Sequence, residues 1–338
     1  MELNFDQIKE ITQGAVRIEE GKRGVHFYRF TNEQEGLYKE YNDNFYKKTF
    51  STSGVKLVFK TNSNNLFLKV FTEASSSRSY FAFDILLNGK FIDSLDNYSD
   101  KEIADMYPHK EYQLGGFSKK FEFESGEKEI TVVFPFSVNA VLEQIIIDDG
   151  AYIKPIKREK KILMFGDSIT HGYDSLHTSR NYASKLADAL GAELINKGIG
   201  GERFFPALAK TKDDFRPDYI TVAYGTNDWN GIEQRVEFEN NCKAFYTALS
   251  KNYPDTKIFA ITPIWRKDYL NEKPVGRFES VKEYIEKAAA QLDNVICISG
   301  FELVPHDEKY FGDLYLHPNE EGFKYYFENL YKIIKEFI

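Results

Sequence analysis

Two regimes of hydrophobic patterning divide the chain. From about Gly14 to Gly150, apolar and polar residues alternate in short runs. VKLVFK puts Val55, Leu57 and Phe59 on one face, and LFLKVF does the same with Leu66, Leu68 and Val70; this period of two is that of strands with one buried face. SYFAFDILLNGKFI predicts two strands joined at Asn88-Gly89, a pair suited to the positive φ angles of a tight hairpin. KKFEFESGEKEITVVFPF predicts a further hairpin at Ser125-Gly126, and LEQIIIDDG a closing strand. Many short strands without a long helix predict an all-β sandwich or jelly roll over residues 1–154.

Beyond the charged stretch IKPIKREKK (Ile153 to Lys161), read as a solvated linker, the period changes. KILMF is a continuous apolar run, as in a parallel strand buried on both faces. SRNYASKLADALG follows as a helix, with Ser179 as its expected N-cap and Gly191 ending it. AELINKG, DYITVAYG, KIFAITPIW and NVICIS read as strands; EQRVEFENNCKAFYTALSK, SVKEYIEKAAAQL and PNEEGFKYYFENLYKIIKEF read as helices. The alternation predicts a doubly wound parallel α/β domain over residues 155–338.

The 338 residues are long enough for two such domains, and 42% hydrophobic with 28% charged residues describes a globular chain. A net charge of −8 with interspersed lysines and arginines argues against nucleic acid and against an anionic membrane surface. Cys242 and Cys297 fall in a predicted helix and strand and read as free core thiols, not a disulfide framework. MELNFDQIKEITQGAV has no basic head followed by an apolar run, and no run approaches a membrane span, so a cytoplasmic location is expected. Self-association is left open.

Ligands of doubly wound sheets bind at the carboxyl ends of the strands. Four polar clusters follow predicted strands there: Gly166-Asp167-Ser168, NKGIGGERF (Asn196 to Phe204), Gly225-Thr226-Asn227-Asp228, and FGDLYLHPNEEGF with Asp313 and His317. Together they hold the inventory for acyl transfer. His317 can take the proton of a serine hydroxyl near neutral pH, and Asp313 can fix the imidazole. The N–H groups of Ser168 and Gly201, with the Asn227 amide, can face a developing oxyanion.

GDSIT, NKGIGGER, GTND and LHPN, in that order, resemble the four blocks of the SGNH (GDSL-type) hydrolase superfamily, from about Lys160 to the C-terminus. The resemblance implies a flavodoxin-like fold, with Ser168 as nucleophile and first oxyanion donor, Gly201 and Asn227 as the other donors, and His317 as base. It places the acid three residues before the histidine, where this chain has Leu314; Asp313 lies four before. A turn-like loop would let Asp313 reach, whereas an extended one would leave a Ser-His dyad. A β-sandwich ahead of such a domain resembles carbohydrate esterases of family two and related acetyl esterases. That implies hydrolysis of a small O-acyl group, most simply acetyl, from an oligosaccharide. Tyr173, Phe204, Trp229 and Trp265 would then stack on sugar rings, and neither metal nor other cofactor is implied. The alternatives are a lipase or acyl-thioesterase for longer chains, or a non-catalytic carbohydrate-binding protein.

Other polar residues have plainer expectations. Asp167 should hydrogen-bond within its turn and Asp228 cap the next helix. His171 and His177 read as solvated loop residues; His26, His109 and His306 show no metal-ligand spacing. The glycines from Gly198 to Gly201 lack a nucleotide fingerprint.

Overall fold

The computed structural model describes residues 1–98 and 107–338. The N-terminal part packs two antiparallel sheets face to face. One runs in the order Thr12–Gln13, Lys56–Thr61, Lys128–Val133, Ala82–Leu87 and Lys90–Asp96, with Ile153–Pro155 also on Lys56–Thr61. The other runs Arg17–Glu20, Val25–Tyr28, Val138–Ile147, Asn65–Ala74 and Gly115–Glu122. The alternation explains the core between them: Leu57, Phe59, Phe83 and Ile85 of one sheet meet Leu66, Leu68, Val70 and Leu142 of the other. Asn88 and Gly89 have φ of 49° and 76°, so both central residues of the hairpin turn are left-handed, as the right-handed strand twist favours.

Two expectations are corrected here. The segments on either side of Ser125-Gly126 form no hairpin: Gly115–Glu122 pairs with Asn65–Ala74, and Lys128–Val133 pairs with Lys56–Thr61 and Ala82–Leu87. The turn carries the chain from one sheet to the other. Alternation defines a strand's inward face but not its partner. Nor is this part free of helix. Phe5–Ile11, Asn32–Tyr41 and Asp43–Thr49 are helical. The first two begin with capping boxes, Asn4 with Gln7 and Thr31 with Gln34, a signal present in NFDQ and TNEQ.

The C-terminal sheet is parallel, in the order Ala192–Asn196, Lys160–Gly166, Tyr219–Ala223, Lys257–Ile261 and Val295–Ile298. Helices Arg235–Asn252 and Phe278–Ala289 contribute to the core on one face, and Tyr182–Ala189 and Glu320–Ile334 to that on the other. The first of these parallel-sheet helices in sequence is capped by Asn181, which accepts from Ser184 N, rather than by Ser179, which lies in a preceding single turn. The strand order reverses beside Lys160–Gly166, and that switch point opens the crevice where the functional loops meet. Cys242 and Cys297 are free thiols.

The two parts are joined by buried polar contacts. Arg29, wholly buried, donates to the carbonyls of Lys48 and Ser51 on its own side and of Asn196 and Gly198 on the other. Lys197 pairs with Asp213 at 2.7 Å and donates to Gln34 Oε1 at the same distance. Asp84 takes the Ser179 N–H and the His177 ring. Among the described residues, no helix is long and apolar enough to cross a membrane.

Candidate active site

Ser168 opens a short helix, Ser168–His171, where the strand Lys160–Gly166 ends. The turn is tight: a Cβ on Gly166 would lie 2.0 Å from Thr170 Oγ1 and 2.9 Å from the Ala223 carbonyl oxygen. Asp167 caps the helix by accepting from Ile169 N at 2.9 Å, as its place in the turn implies. This holds Ser168 at the carboxyl rim.

His317 reaches Ser168 from the loop before the last helix. Its Nε2 is 2.8 Å from Ser168 Oγ, and its Nδ1 is 2.6 Å from Asp313 Oδ2. The four-residue spacing is absorbed by a turn. Asp313 Oδ1 accepts from the N–H groups of Tyr315, Leu316 and His317 at 2.9, 2.8 and 3.1 Å, and Leu314 sits in the left-handed region at φ 56°. A loop wrapped around its own carboxylate aims the second oxygen at the ring.

The electrostatics follow from this packing. Burial pulls the His317 pKa down, but the Asp313 hydrogen bond and the charges of Asp174 and Asp313 outweigh it and leave it raised. Burial pushes Asp313 up, yet the His317 bond and charge and the N–H donors hold it well below the usual carboxylate range. The neutral imidazole has Nε2 toward the hydroxyl and Nδ1–H toward the carboxylate, the arrangement a general base requires.

Gly201 and Asn227 arrive on neighbouring loops. Gly201 has φ 85°, and among the described residues its N–H and that of Ser168 have no hydrogen-bond acceptor. Asn227 Nδ2 donates to the Glu202 carbonyl at 2.9 Å, which ties the two loops together and leaves its second amide hydrogen free for a ligand. Arg266 braces the Asn227 loop through the Thr226 hydroxyl at 3.0 Å. The Gly201 loop is braced by residues that sequence reasoning missed: Arg29 as above, Lys48 through the Gly200 carbonyl, and His171. Gly200 has no room for a side chain, since a Cβ would lie 2.4 Å from the Tyr173 hydroxyl.

His171 is corrected from solvated to wholly buried. Its Nδ1 accepts from Gly200 N at 3.2 Å and its Nε2 faces Phe136 O and Ser51 Oγ; burial first, then Arg29 and Lys48, drive its pKa well down. His177 is also no free loop residue, being held by Asp84 at 2.7 Å. Asp228 lies inside its helix rather than capping it and accepts from Phe204 N at 3.1 Å.

The four aromatic residues expected to stack on sugars are buried instead. Trp229 is fully enclosed, donates its indole N–H to Gly276 O and packs edge-on against Phe278. Phe204 is walled by Tyr224, Phe238, Phe245 and Tyr246. Trp265 lies against His306 and Phe311. Tyr173 lies beneath the site, its ring 5.6 Å from that of His317. Each turns back after a strand end to fill space under the rim, so none offers an open face.

Two further residues belong to this centre and carried no sequence signal. Asp174, wholly buried, places Oδ2 3.8 Å from His317 Nδ1, and Arg78 of the N-terminal part donates to its other oxygen at 2.7 Å. Asp174, Asp313 and His317 offer ligand atoms within 4.8 Å of one another. A cation there would compete for the Nδ1 lone pair and the Asp313 oxygen that the hydrogen-bonded relay already uses.

The molecule is thus a doubly wound α/β protein with a Ser–His–Asp chain of hydrogen bonds at the carboxyl rim of its parallel sheet, preceded by a β-sandwich. Residues 164–325 match the model of the GDSL-like Lipase/Acylhydrolase family, and this part of the chain is a domain of that kind. No curated protein sequence matches the chain. Among solved structures, a salicylyl-acyltransferase, SsfX3, from a tetracycline biosynthetic pathway superposes with a TM-score of 0.79 at 19% identity, covering 96% of this chain and 94% of that one. An acetyl xylan esterase, Est2A, from Butyrivibrio proteoclasticus gives 0.62 at 16% identity, with 99% and 97% covered. A family two carbohydrate esterase from Clostridium thermocellum, solved with cellohexaose, gives 0.63 at 14%, with 85% and 93% covered. At these identities the likeness is one of fold, and it extends through the β-sandwich as well as the parallel sheet.

Proposed function

We propose that the protein is a serine esterase that removes a small O-acyl group, acetyl in the simplest case, from an oligosaccharide. The observation that carries this reading is the continuous chain Ser168 Oγ, His317 Nε2, His317 Nδ1, Asp313 Oδ2, with steps of 2.8 and 2.6 Å. Ser168 Oγ attacks the ester carbonyl as His317 Nε2 takes its proton. The carbonyl π pair moves onto oxygen, where the N–H groups of Ser168 and Gly201 and the Asn227 amide receive it. His317 then returns the proton to the leaving alcohol. Water, deprotonated by the same nitrogen, releases the acid from the acyl-enzyme.

A small acyl group is supported by the acetyl xylan esterase among the proteins of this fold. A carbohydrate leaving group is supported by the family two esterase and acetyl xylan esterase among the proteins of this fold. In this reading residues 1–154 and 155–338 are two domains of one catalytic unit, acting in the cytoplasm without a metal or other cofactor. Acetate release across a panel of acetylated oligosaccharides, beside a chain-length series of p-nitrophenyl esters, tests it. Ser168→Ala should abolish both activities with the fold intact; undiminished turnover would sink the mechanism, and a preference for long chains would sink the substrate.

A further inference from the structure

We propose that Asp174 is a second carboxylate for His317, held in place by Arg78 of the β-sandwich, so that the imidazole is oriented from two sides. The inference rests on His317 being the base of the reaction above.

Asp174 is built into its position at some cost. It is fully buried, and its backbone lies in the left-handed region at φ 67°, uncommon for a residue with a Cβ. Three residues of the sandwich part hold it there: Arg78 Nε donates to Oδ1, the Tyr107 hydroxyl donates to its carbonyl, and its N–H donates to the Tyr80 hydroxyl at 3.1 Å. The Asp313 loop is pressed against it, since a Cβ on Gly312 would lie 2.8 Å from Asp174 Cβ. All of this leaves one carboxylate oxygen, Oδ2, without a hydrogen-bond partner. A buried carboxyl oxygen without a partner is expensive, and burial pushes the Asp174 pKa up against the opposing pull of His317 and Arg78; the oxygen faces the ring that becomes cationic in the reaction.

A purely structural reading has Asp174 tie the two domains together through Arg78. That accounts for Oδ1 but not for Oδ2. At 3.8 Å from Nδ1, Oδ2 lies beyond hydrogen-bond range in the resting site, where Asp313 holds the proton at 2.6 Å. In the proposal Oδ2 acts on the ring through charge drawn out by the imidazolium and Arg78, and becomes the acceptor toward which the ring turns when Asp313 is lost. The charged groups around the imidazole are Asp313 on its own loop, Asp174 and Asp167 on the segment after the first parallel strand, and Arg78 from the sandwich. Two of the acids flank Nδ1, and Arg78 moderates one of them.

The test uses Asp174→Asn, Asp313→Asn and the double variant in the full chain, with kcat/KM for p-nitrophenyl acetate measured across pH. Asp174→Asn should move the acidic limb down by about one pH unit, while a fluorophosphonate still labels Ser168 stoichiometrically. A domain-tying role would lower the labelled fraction and leave the limb in place. Asp313→Asn should cost roughly tenfold to a hundredfold while Asp174 is present, and about a hundredfold more once it is not. Where Asp174→Asn fails to fold, the Nδ1–H proton resonance of His317 in Asp313→Asn decides: it persists at low pH if Asp174 accepts the proton and vanishes if it does not. An unmoved limb with equal Asp313→Asn losses in both backgrounds overturns the role of Asp174 alone. Retained activity in Ser168→Ala would instead overturn the reading of the site.

Discussion

Lys48 Nζ donates to the Gly200 carbonyl at 2.7 Å, across 152 residues of sequence. The ammonium sits on the last of the three N-terminal helices, and the carbonyl belongs to the peptide whose N–H is that of Gly201. A cation on that carbonyl polarises the peptide and fixes the direction of the N–H proposed to face the oxyanion. The β-sandwich part therefore reaches the site from two directions, through Lys48 at the Gly201 loop and through Arg78 behind the histidine.

Lys48→Met should accordingly lower kcat about tenfold with little change in KM, the loss expected of one charged hydrogen bond worth roughly 1.5 kcal/mol. Steady-state kinetics on p-nitrophenyl acetate check it. A change confined to KM would show that Lys48 meets substrate rather than the loop.

Asn227→Ala removes both the proposed oxyanion contact and the tie to the Glu202 carbonyl. The expected loss in kcat is about a hundredfold or more, as for a single oxyanion donor, and Asn227→Asp should fare no better because a carboxylate would repel the developing charge. Equal rates in Asn227→Ala and the native chain would remove Asn227 from the mechanism.

The parallel sheet was open to sequence reasoning because most of its strands are continuous apolar runs that alternate with stretches of helical period, two of them opened by asparagine caps, Asn181 and Asn319. The same holds for Ser168, Gly201, Asn227 and His317, which follow strand ends in recognisable blocks. Asp313 was legible as a candidate, and whether it could reach His317 depended on a left-handed Leu314, a backbone detail with no residue signature. What stayed hidden depends on tertiary approach. Arg78, Asp174, Lys48 and His171 are ordinary polar residues in sequence: Arg78 and Lys48 reach the site only through the docking of the two parts, and Asp174 and His171 only through the way the loops of the α/β part fold against one another. The four aromatics misled for the opposite reason: a position after a strand end allows a ring to face the crevice or to turn under it, and Trp229 and Phe204 turn under.

The raised pKa of His317 fixes the direction of the pH dependence. The imidazole must be neutral to accept the serine proton, so kcat/KM should fall as pH drops through a limb lying above the ordinary histidine value of 6.5. The linked stability runs the other way. A raised folded-state pKa stabilises the fold fully below about 6.5 and loses that contribution as pH rises through the folded value. Activity should therefore climb where this contribution to stability fades. His317→Gln should abolish the activity and remove that part of the pH dependence of thermal unfolding; an acidic limb below pH 6 in the native chain would contradict the arrangement.

Glu202, directly after Gly201, gives a separate prediction. It is buried and takes hydrogen bonds from the hydroxyls of Tyr38 and Tyr224, and burial pushes its pKa up to about 8 in spite of those donors. Asp228 and Asp167 nearby are raised for the same first reason, to about 7 and about 6. A carboxyl raised in the fold is ionised more readily in the unfolded chain, so its contribution to stability is whole below about pH 4.5 and drains away as pH rises through about 8. Thermal unfolding measured from pH 5 to pH 8.5 should show the native chain losing stability. Glu202→Gln, neutral throughout and able to accept from one tyrosine while donating to the other, should lose a few degrees less in Tm across that range. An unchanged slope in Glu202→Gln would mean that Glu202 stays ionised, with Arg29 and Lys48 supplying the compensating charge.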